Sequence, residues 1–459
     1  MPHHRSFRHR SPTSRNRRLS PWLTTFTLTG LLALAVPVVT QAQGLSETRA
    51  DPRRQRSGAN VTQEVAPGER TSTKPDSERL HDSYQPKGVD LGSFLMLPKF
   101  EVDEVYNSNL FATETDAKGD FVTVARPEVR LRSRFKEHAL NIGALVEHYR
   151  HQRHESDNRT DGQVEVDGRY DLTAETAANY FGQIFARHED RGSPDDARGL
   201  KPTPIQGFAN RVGLKHQFGR YTVLSEVGLD RREFDAVTTS LGNRISNADR
   251  DRWELQARLR GSYEMFPGYA AVVETSGNSR RYDQDRDRNG FERNSNGYRV
   301  ETGIGVDLSQ LVRGDFLVGY FGQRYNDPRF TDPQGVSVRA TFNWTPTALT
   351  IIVPSLERSI NETTTLGASA MVRNSFNITV RHELERNIVL SAYGNVAYDQ
   401  MSGVNDRNAW TYEGKAKAIY AFTPEIYVGA EAGYRDKQAD AAGESFQQTT
   451  LMARLGLQY

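Results

Sequence analysis

From residue 91 to residue 459, apolar and polar residues alternate one by one, segment after segment. Over residues 163–172 one set holds Val164, Val166, Gly168, Tyr170 and Leu172, and the other holds Gln163, Glu165, Asp167, Arg169 and Asp171. Over residues 252–265, Trp253, Leu255, Ala257, Leu259, Gly261, Tyr263 and Met265 oppose Arg252, Glu254, Gln256, Arg258, Arg260, Ser262 and Glu264. Tyr298, Val300, Thr302, Ile304, Val306 and Leu308 oppose Arg299, Glu301, Gly303, Gly305 and Asp307. A strand sends successive side chains to opposite faces, so each segment carries an apolar wall and a charged wall. These segments run about 10 to 14 residues, against five or six in an ordinary soluble strand. A tilted strand needs roughly 9 to 11 residues to cross a bilayer. A soluble sandwich would use shorter strands.

The pattern predicts eighteen strands, starting near residues 93, 121, 139, 162, 177, 205, 221, 252, 268, 296, 314, 334, 347, 368, 388, 408, 425 and 447. A count of sixteen follows instead if the weak hairpin around residues 347–384 is not one. Links after even strands are short, as at Gly219-Arg220, Phe266-Pro267 and Glu385-Arg386. Links after odd strands are mostly longer and polar, as in RHESDNRTDG, RGSPDDARGLKPTP, DAVTTSLGNRISNAD and DQDRDRNGFERNS. Short periplasmic turns, long outer loops and an even strand count belong to outer-membrane barrels. This alternation places both termini in the periplasm. Aromatic residues fall at the strand ends: Phe135, Phe218, Tyr221, Phe266, Tyr269, Trp344, Phe422 and Tyr427 flank short turns, while Trp253, Tyr298, Trp410 and Tyr434 lie near long loops. Their amphipathic rings suit the two lipid–water boundaries. In the last segment Leu451, Ala453, Leu455, Leu457 and Tyr459 share one face, and an aromatic residue ends the chain. That ending resembles the C-terminal signature by which barrel-assembly machinery recognises its clients.

Composition narrows the picture. The 459 residues carry Lys+Arg 59 against Asp+Glu 58, with 25% charged and a mean hydropathy of −0.67. That is too polar for a helical membrane bundle, and the near-zero charge gives no support to a nucleic-acid surface. With no cysteine, thiol catalysis, thiolate metal sites, disulfides and a lipobox-type acyl anchor are excluded. Residues 1–42 hold six arginines and no acid, then an apolar run over 22–39 and the small-residue step Thr40-Gln41-Ala42. This is the layout of a secretory signal peptide. Residues 43–90 carry eight basic and eight acidic residues, with Tyr84 the one aromatic. Such a stretch buries too little to offset its ordering entropy and reads as a disordered periplasmic tail. The barrel then spans residues 91–459.

In hydrocarbon no water satisfies a free N–H or C=O, so the sheet must close on itself. Sixteen to eighteen strands enclose a lumen wide enough for an aqueous channel. Its lining is read from the polar set: Arg130, Arg132, Arg134, Glu165, Asp167, Lys215, Glu254, Arg258, Arg260, Glu301, Arg339, Arg373, Arg381, Glu413, Lys415, Lys417, Glu431 and Arg454. Both signs occur, so structural pairing across neighbouring strands and steering of solutes are both expected.

Chemistry-bearing motifs are few. His148, His151 and His154 sit three apart, which on a strand turns His151 away from the other two, so they do not converge on a metal. Asp285, Asp287, Asn289 and Gly290 read as the front half of a calcium loop, but the twelfth position is Asn296 where glutamate is required. Weak calcium binding there stays open. No nucleophile elbow, phosphate loop or dinucleotide fingerprint occurs in a fitting context, and no cofactor is implied.

The stretch GVDLGSFLMLPKFEVDEVYNSNLFAT, with YNSNLF at residues 106–111, resembles the opening of a family of proteobacterial outer-membrane proteins called putative beta-barrel porin 2. Asn107 and Ser108 stand where the family commonly has acidic residues. RPEVRLRSRFKEHALNIGA, residues 126–144, is similar to the family's next hairpin, with arginines facing in. The resemblance implies a barrel in the outer membrane of a Gram-negative bacterium, in some relatives tied to exopolysaccharide or capsule production, with no catalytic residues to carry over.

The expectation is therefore a non-enzymatic all-β outer-membrane barrel, surrounded by outer-membrane lipid. It passes small polar solutes, with polysaccharide export as a specialised version. A structural or adhesive barrel with an occluded lumen is the second reading. An outer-membrane enzyme, marked by a carboxylate–histidine or serine–histidine cluster at one rim, is the third.

Overall fold

The computed structural model describes residues 84–459, apart from 198, 240, 309–310 and 404–406. The expected signal peptide and most of the expected tail, residues 43–83, lie outside the described residues. Eighteen long strands follow in order: β1 Phe94–Asn107, β2 Asp120–Ser133, β3 Ala139–His151, β4 Arg159–Asp171, β5 Thr176–His188 and β6 Pro204–Phe218. Next come β7 Tyr221–Phe234, β8 Arg252–Phe266, β9 Tyr269–Tyr282, β10 Ser295–Leu308, β11 Val312–Tyr325 and β12 Gln334–Thr347. The last six are β13 Thr350–Glu362, β14 Ala370–Glu385, β15 Ile388–Met401, β16 Ala409–Ala421, β17 Ile426–Ala439 and β18 Phe446–Gln458. Each begins within three residues of the start read from the alternation. The hairpin in question is real as β13 and β14, so the count is eighteen.

Every strand pairs antiparallel with its neighbour in sequence, and β1 pairs with β18 from Lys99↔Gln458 to Asn107↔Thr450. The sheet is closed. At that seam Arg454 donates Nε and Nη2 to Asp103 at 2.7 and 2.8 Å and Nη1 to Glu101 at 3.0 Å. Arg126 on β2 also contacts Asp103, which is fully buried.

The two faces separate as the alternation requires. Outward residues such as Leu255, Val273 and Val300 are about half exposed, while their strand neighbours Glu254, Glu274 and Glu301 are buried. A wall that is apolar outside and charged inside is stable only with hydrocarbon around it. Polar outward side chains are tied to their neighbours: the Nδ1 atoms of His148, His216 and His382 lie 2.8–2.9 Å from the hydroxyls of Thr160, Thr176 and Thr350. Aromatic rings cluster at both ends of the outer wall. Phe218, Tyr221 and Tyr263 stack at the short-turn end, and Tyr398, Trp410 and Tyr412 at the long-loop end.

Close strand approach depends on inward glycines. A Cβ at Gly319 on β11 would collide with the Val300 carbonyl oxygen of β10. Gly319→Ala is therefore expected to abolish the compact, heat-modifiable band of the folded barrel on cold gel electrophoresis. Arg454→Leu leaves Asp103 and Glu101 without their shared guanidinium and is expected to cost about 3 kcal/mol. A lowered urea midpoint of the folded band measures that loss.

Candidate functional site

The charged inner wall falls into two parts. On β8 to β12 the inward side chains are locked together. Arg258 and Arg260 donate to Glu274 at 2.8 and 3.2 Å, and Arg260 also reaches Asp315 at 2.7 Å. Arg339 on β12 spans to Glu301 on β10 and Glu274 on β9, each at 2.6 Å. In the register Glu301, Gly319 and Ser337 lie side by side, and because glycine adds nothing the Ser337 hydroxyl donates across it to Glu301 at 2.5 Å. Glu254 accepts from Arg280 at 3.1 Å. The carboxylates Glu254, Glu274 and Glu301 and the arginines Arg258, Arg260 and Arg280 of this network are buried, while Arg339 and Asp315 keep partial exposure.

On β14 to β17 the inner wall is different. Arg381, Glu413, Lys415, Lys417 and Glu431 all keep partial exposure although they face away from the outer wall. Lys415 pairs with Glu413 at 2.7 Å, Lys417 lies opposite Glu431 in register, and Arg373 holds Asp399 at 2.9 Å. Across the lumen, Glu165 accepts from Gln163 and Gln183, Asp167 accepts from Asn141, and Lys215 on β6 keeps partial exposure. Arg130 pairs with Glu128 at 2.6 Å, while Arg132 and Arg134 approach the short-turn end, where Arg134 binds Asp90 at 2.5 Å.

Alternation assigns faces but not loops, and the loops supply what the sequence reading missed. Residues 189–203, between β5 and β6, cross the lumen. Asp190 Oδ2 accepts from Arg435 Nη1 of β17 at 2.8 Å, and Lys437 Nζ donates to the Gly192 carbonyl at 3.4 Å. Asp195 accepts from the Thr363 hydroxyl at 2.9 Å and from the Thr364 N–H and hydroxyl at 2.8 and 3.1 Å, in the β13–β14 loop. These contacts lie six and eight strands from the root of the loop. The root is fixed by a buried pair, Arg250 donating two bonds to Glu189 at 2.6 and 2.9 Å, with the Arg250 guanidinium over Phe234. Arg191 bonds Asp157 at 2.6 Å and covers the ring of Phe111. The sole sequence signal was the length of this link.

Other loops at the same end pack on one another. Burial works against the Asp249 charge, but the Arg288 guanidinium and backbone N–H hold its carboxyl below the ordinary value. The Arg329 guanidinium holds Asp327 well below its ordinary value too. Asp287 gives one oxygen to Arg293 Nε at 2.6 Å and the other to the N–H groups of Asn289 and Phe291. The partial calcium motif is thus a self-satisfied turn. Among the described residues no cluster of three acidic or histidine side chains is placed to hold a metal ion. His154 meets Asp120 at 2.9 Å and His188 meets Asp161 at 2.6 Å, but Asp120 also caps the N–H groups of Phe121, Arg153 and His154, as a loop tie does.

Comparison with solved structures returns outer-membrane proteins. OpdK from Pseudomonas aeruginosa aligns at 11% identity and TM-score 0.39, covering 79% of this chain and 99% of that one. OccAB4 from Acinetobacter baumannii aligns at 12% identity and TM-score 0.42, covering 79% and 98%. OccK2 (OpdF) from Pseudomonas aeruginosa, solved in complex with glucuronate, aligns at 10% identity and TM-score 0.42, covering 79% and 98%. No curated protein matches the chain. The family model described as Putative beta-barrel porin 2 matches residues 82–459, the whole closed sheet included, and the chain belongs to that family.

Proposed function

We propose that this porin-like barrel is a channel for small hydrophilic solutes in the outer membrane of a Gram-negative bacterium. Its short turns and both termini face the periplasm, and its long loops face outward. The observation that carries the reading is the partial exposure of Arg381, Glu413, Lys415, Lys417 and Glu431 inside a sealed wall. Charged groups at mid-strand keep that exposure only beside a solvent-filled space. The conduit runs past β14 to β17, where these charged groups face the lumen. Passage is then a matter of size at the crossing loop and of charge along the Lys415–Lys417 wall. The outward placement of Leu451, Leu455 and Leu457 supports recognition of β18 by the barrel-assembly machinery during biogenesis.

Export of polysaccharide would call for open aromatic stacking platforms. Here Tyr149, Phe185, Phe234 and Phe446 are each covered by an arginine, with guanidinium-to-ring distances of 4.0–5.3 Å. That favours small solutes. The crossing loop favours the second reading, a surface barrel with a blocked lumen, and conductance separates the two.

Refolded protein in a planar bilayer is expected to give discrete conductance steps that grow with salt. A barrel silent at every salt concentration, even with residues 191–201 replaced by a short glycine–serine link, would reject the channel. Joint replacement of Lys415 and Lys417 by glutamine is expected to shift the reversal potential in a salt gradient toward cation selectivity. Arg339→Leu is expected to leave selectivity nearly unchanged while lowering stability by about 3 kcal/mol, since it strips Glu274 and Glu301 of a shared partner. Equal selectivity shifts from both changes would place the conduit elsewhere.

A further inference from the structure

The loop over residues 189–203 does more than narrow the lumen. Its 190–192 turn sits on a small built feature of the far wall. Arg435 and Lys437 lie two apart on β17, so their side chains share the inward face. The Arg435 guanidinium stands 5.3 Å over the ring of Phe446, which is buried on β18. Gly192 packs against that ring closely enough that a Cβ there would lie 2.8 Å from it. The two cations receive a carboxylate from Asp190 and a carbonyl from Gly192. The acidic groups around Lys437 are otherwise occupied: Asp399 is held by Arg373, and Glu444 pairs with Arg407.

A guanidinium held over an aromatic ring with an ammonium two residues along the same face suits a small carboxylate, and a charge-assisted bond of this kind can be taken over by a like partner. Asp190 is only partly buried, whereas the Glu189–Arg250 pair at the root is almost completely so. The turn is therefore the more accessible tie of a loop whose base is fixed by Arg250 and whose next stretch is held by Asp195 on the β13–β14 loop. We propose that Asp190 is an internal occupant of a carboxylate-binding site formed by Arg435 and Lys437, and that carboxylate-bearing solutes open the lumen by taking its place. The crossing loop is then an autoinhibitory strap, released by the solute it admits. This rests on the channel reading.

Planar-bilayer recording tests it on the purified full chain, with acetate as the carboxylate probe and perchlorate as a tetrahedral anion, at constant ionic strength. Replacing half the chloride by acetate is expected to raise the open probability of the wild type about threefold or more, with perchlorate giving no such rise. Asp190→Asn is expected to be open more often in chloride alone and to lose the response to acetate. Arg435→Gln is expected to lose the response as well. Acetate acting no better than perchlorate on the wild type overturns the proposal, and that arm holds even where a variant fails to fold. Should the strap-shortened protein conduct while wild type and Asp190→Asn ignore acetate, this inference falls and the channel stands. Should the strap-shortened protein also stay silent, the channel reading itself falls.

Discussion

The whole molecule answers to one constraint: in hydrocarbon every backbone N–H and C=O must find its partner within the sheet. An open sheet of these strands would expose two unpaired edges, so the first strand must meet the last. The register from Lys99↔Gln458 to Asn107↔Thr450 does this with β1 and β18, which lie more than three hundred residues apart. Hydrogen bonding alone does not choose that register, because a slide along the strands would satisfy the same groups. Arg454, bridging Asp103 and Glu101, and Arg126 against Asp103 make the choice costly to change. A two-residue slip would part these buried charges.

Closure forces the ionic residues inward, and the inner wall handles them in two ways. On β8 to β12 arginines and carboxylates neutralise each other in a dense network in which Gly319 leaves room for Ser337 and Arg339 to reach over to Glu301. Such a network stiffens one side of the cylinder but offers little charge to a passing ion. On β14 to β17 the pairs are sparser, and in the Lys415–Glu413 pair both partners keep partial exposure. Stiffness and solute contact are therefore assigned to different arcs of one wall, which a uniform ladder of charges would not achieve.

The sequence revealed a great deal of this. Period-two alternation located every strand within three residues, and parity alone put Arg258, Arg339, Lys417 and Arg454 on one face. Alternation is a local signal, and a local signal suffices where each residue's direction is fixed by its own strand. It could not say that Glu301 is buried beneath Arg339 while Lys417 keeps partial exposure, since that depends on which side chains two strands away reach over. Nor could it join Asp190 to Arg435, a pairing across 245 positions that leaves no periodic trace. The length of the 189–203 link was visible; its direction was not.

An inward loop in a charged lumen faces the same problem as an edge strand, since its backbone and ionic groups lose water when it folds in. Here the loop meets that cost unevenly. The root buries an arginine–carboxylate pair with two hydrogen bonds, and Arg191 ties the next residue to Asp157. Farther along, single hydroxyls and one amide receive Asp195, and a partly exposed guanidinium receives Asp190. A loop built only to plug would be expected to bury its far contacts as deeply as its near ones. The Asp190–Arg435 pair, 12% and 20% exposed against 1% and 6% for the Glu189–Arg250 pair, is the part of the attachment across the lumen most open to displacement, and local openings are drawn from the weakly held end of a structure.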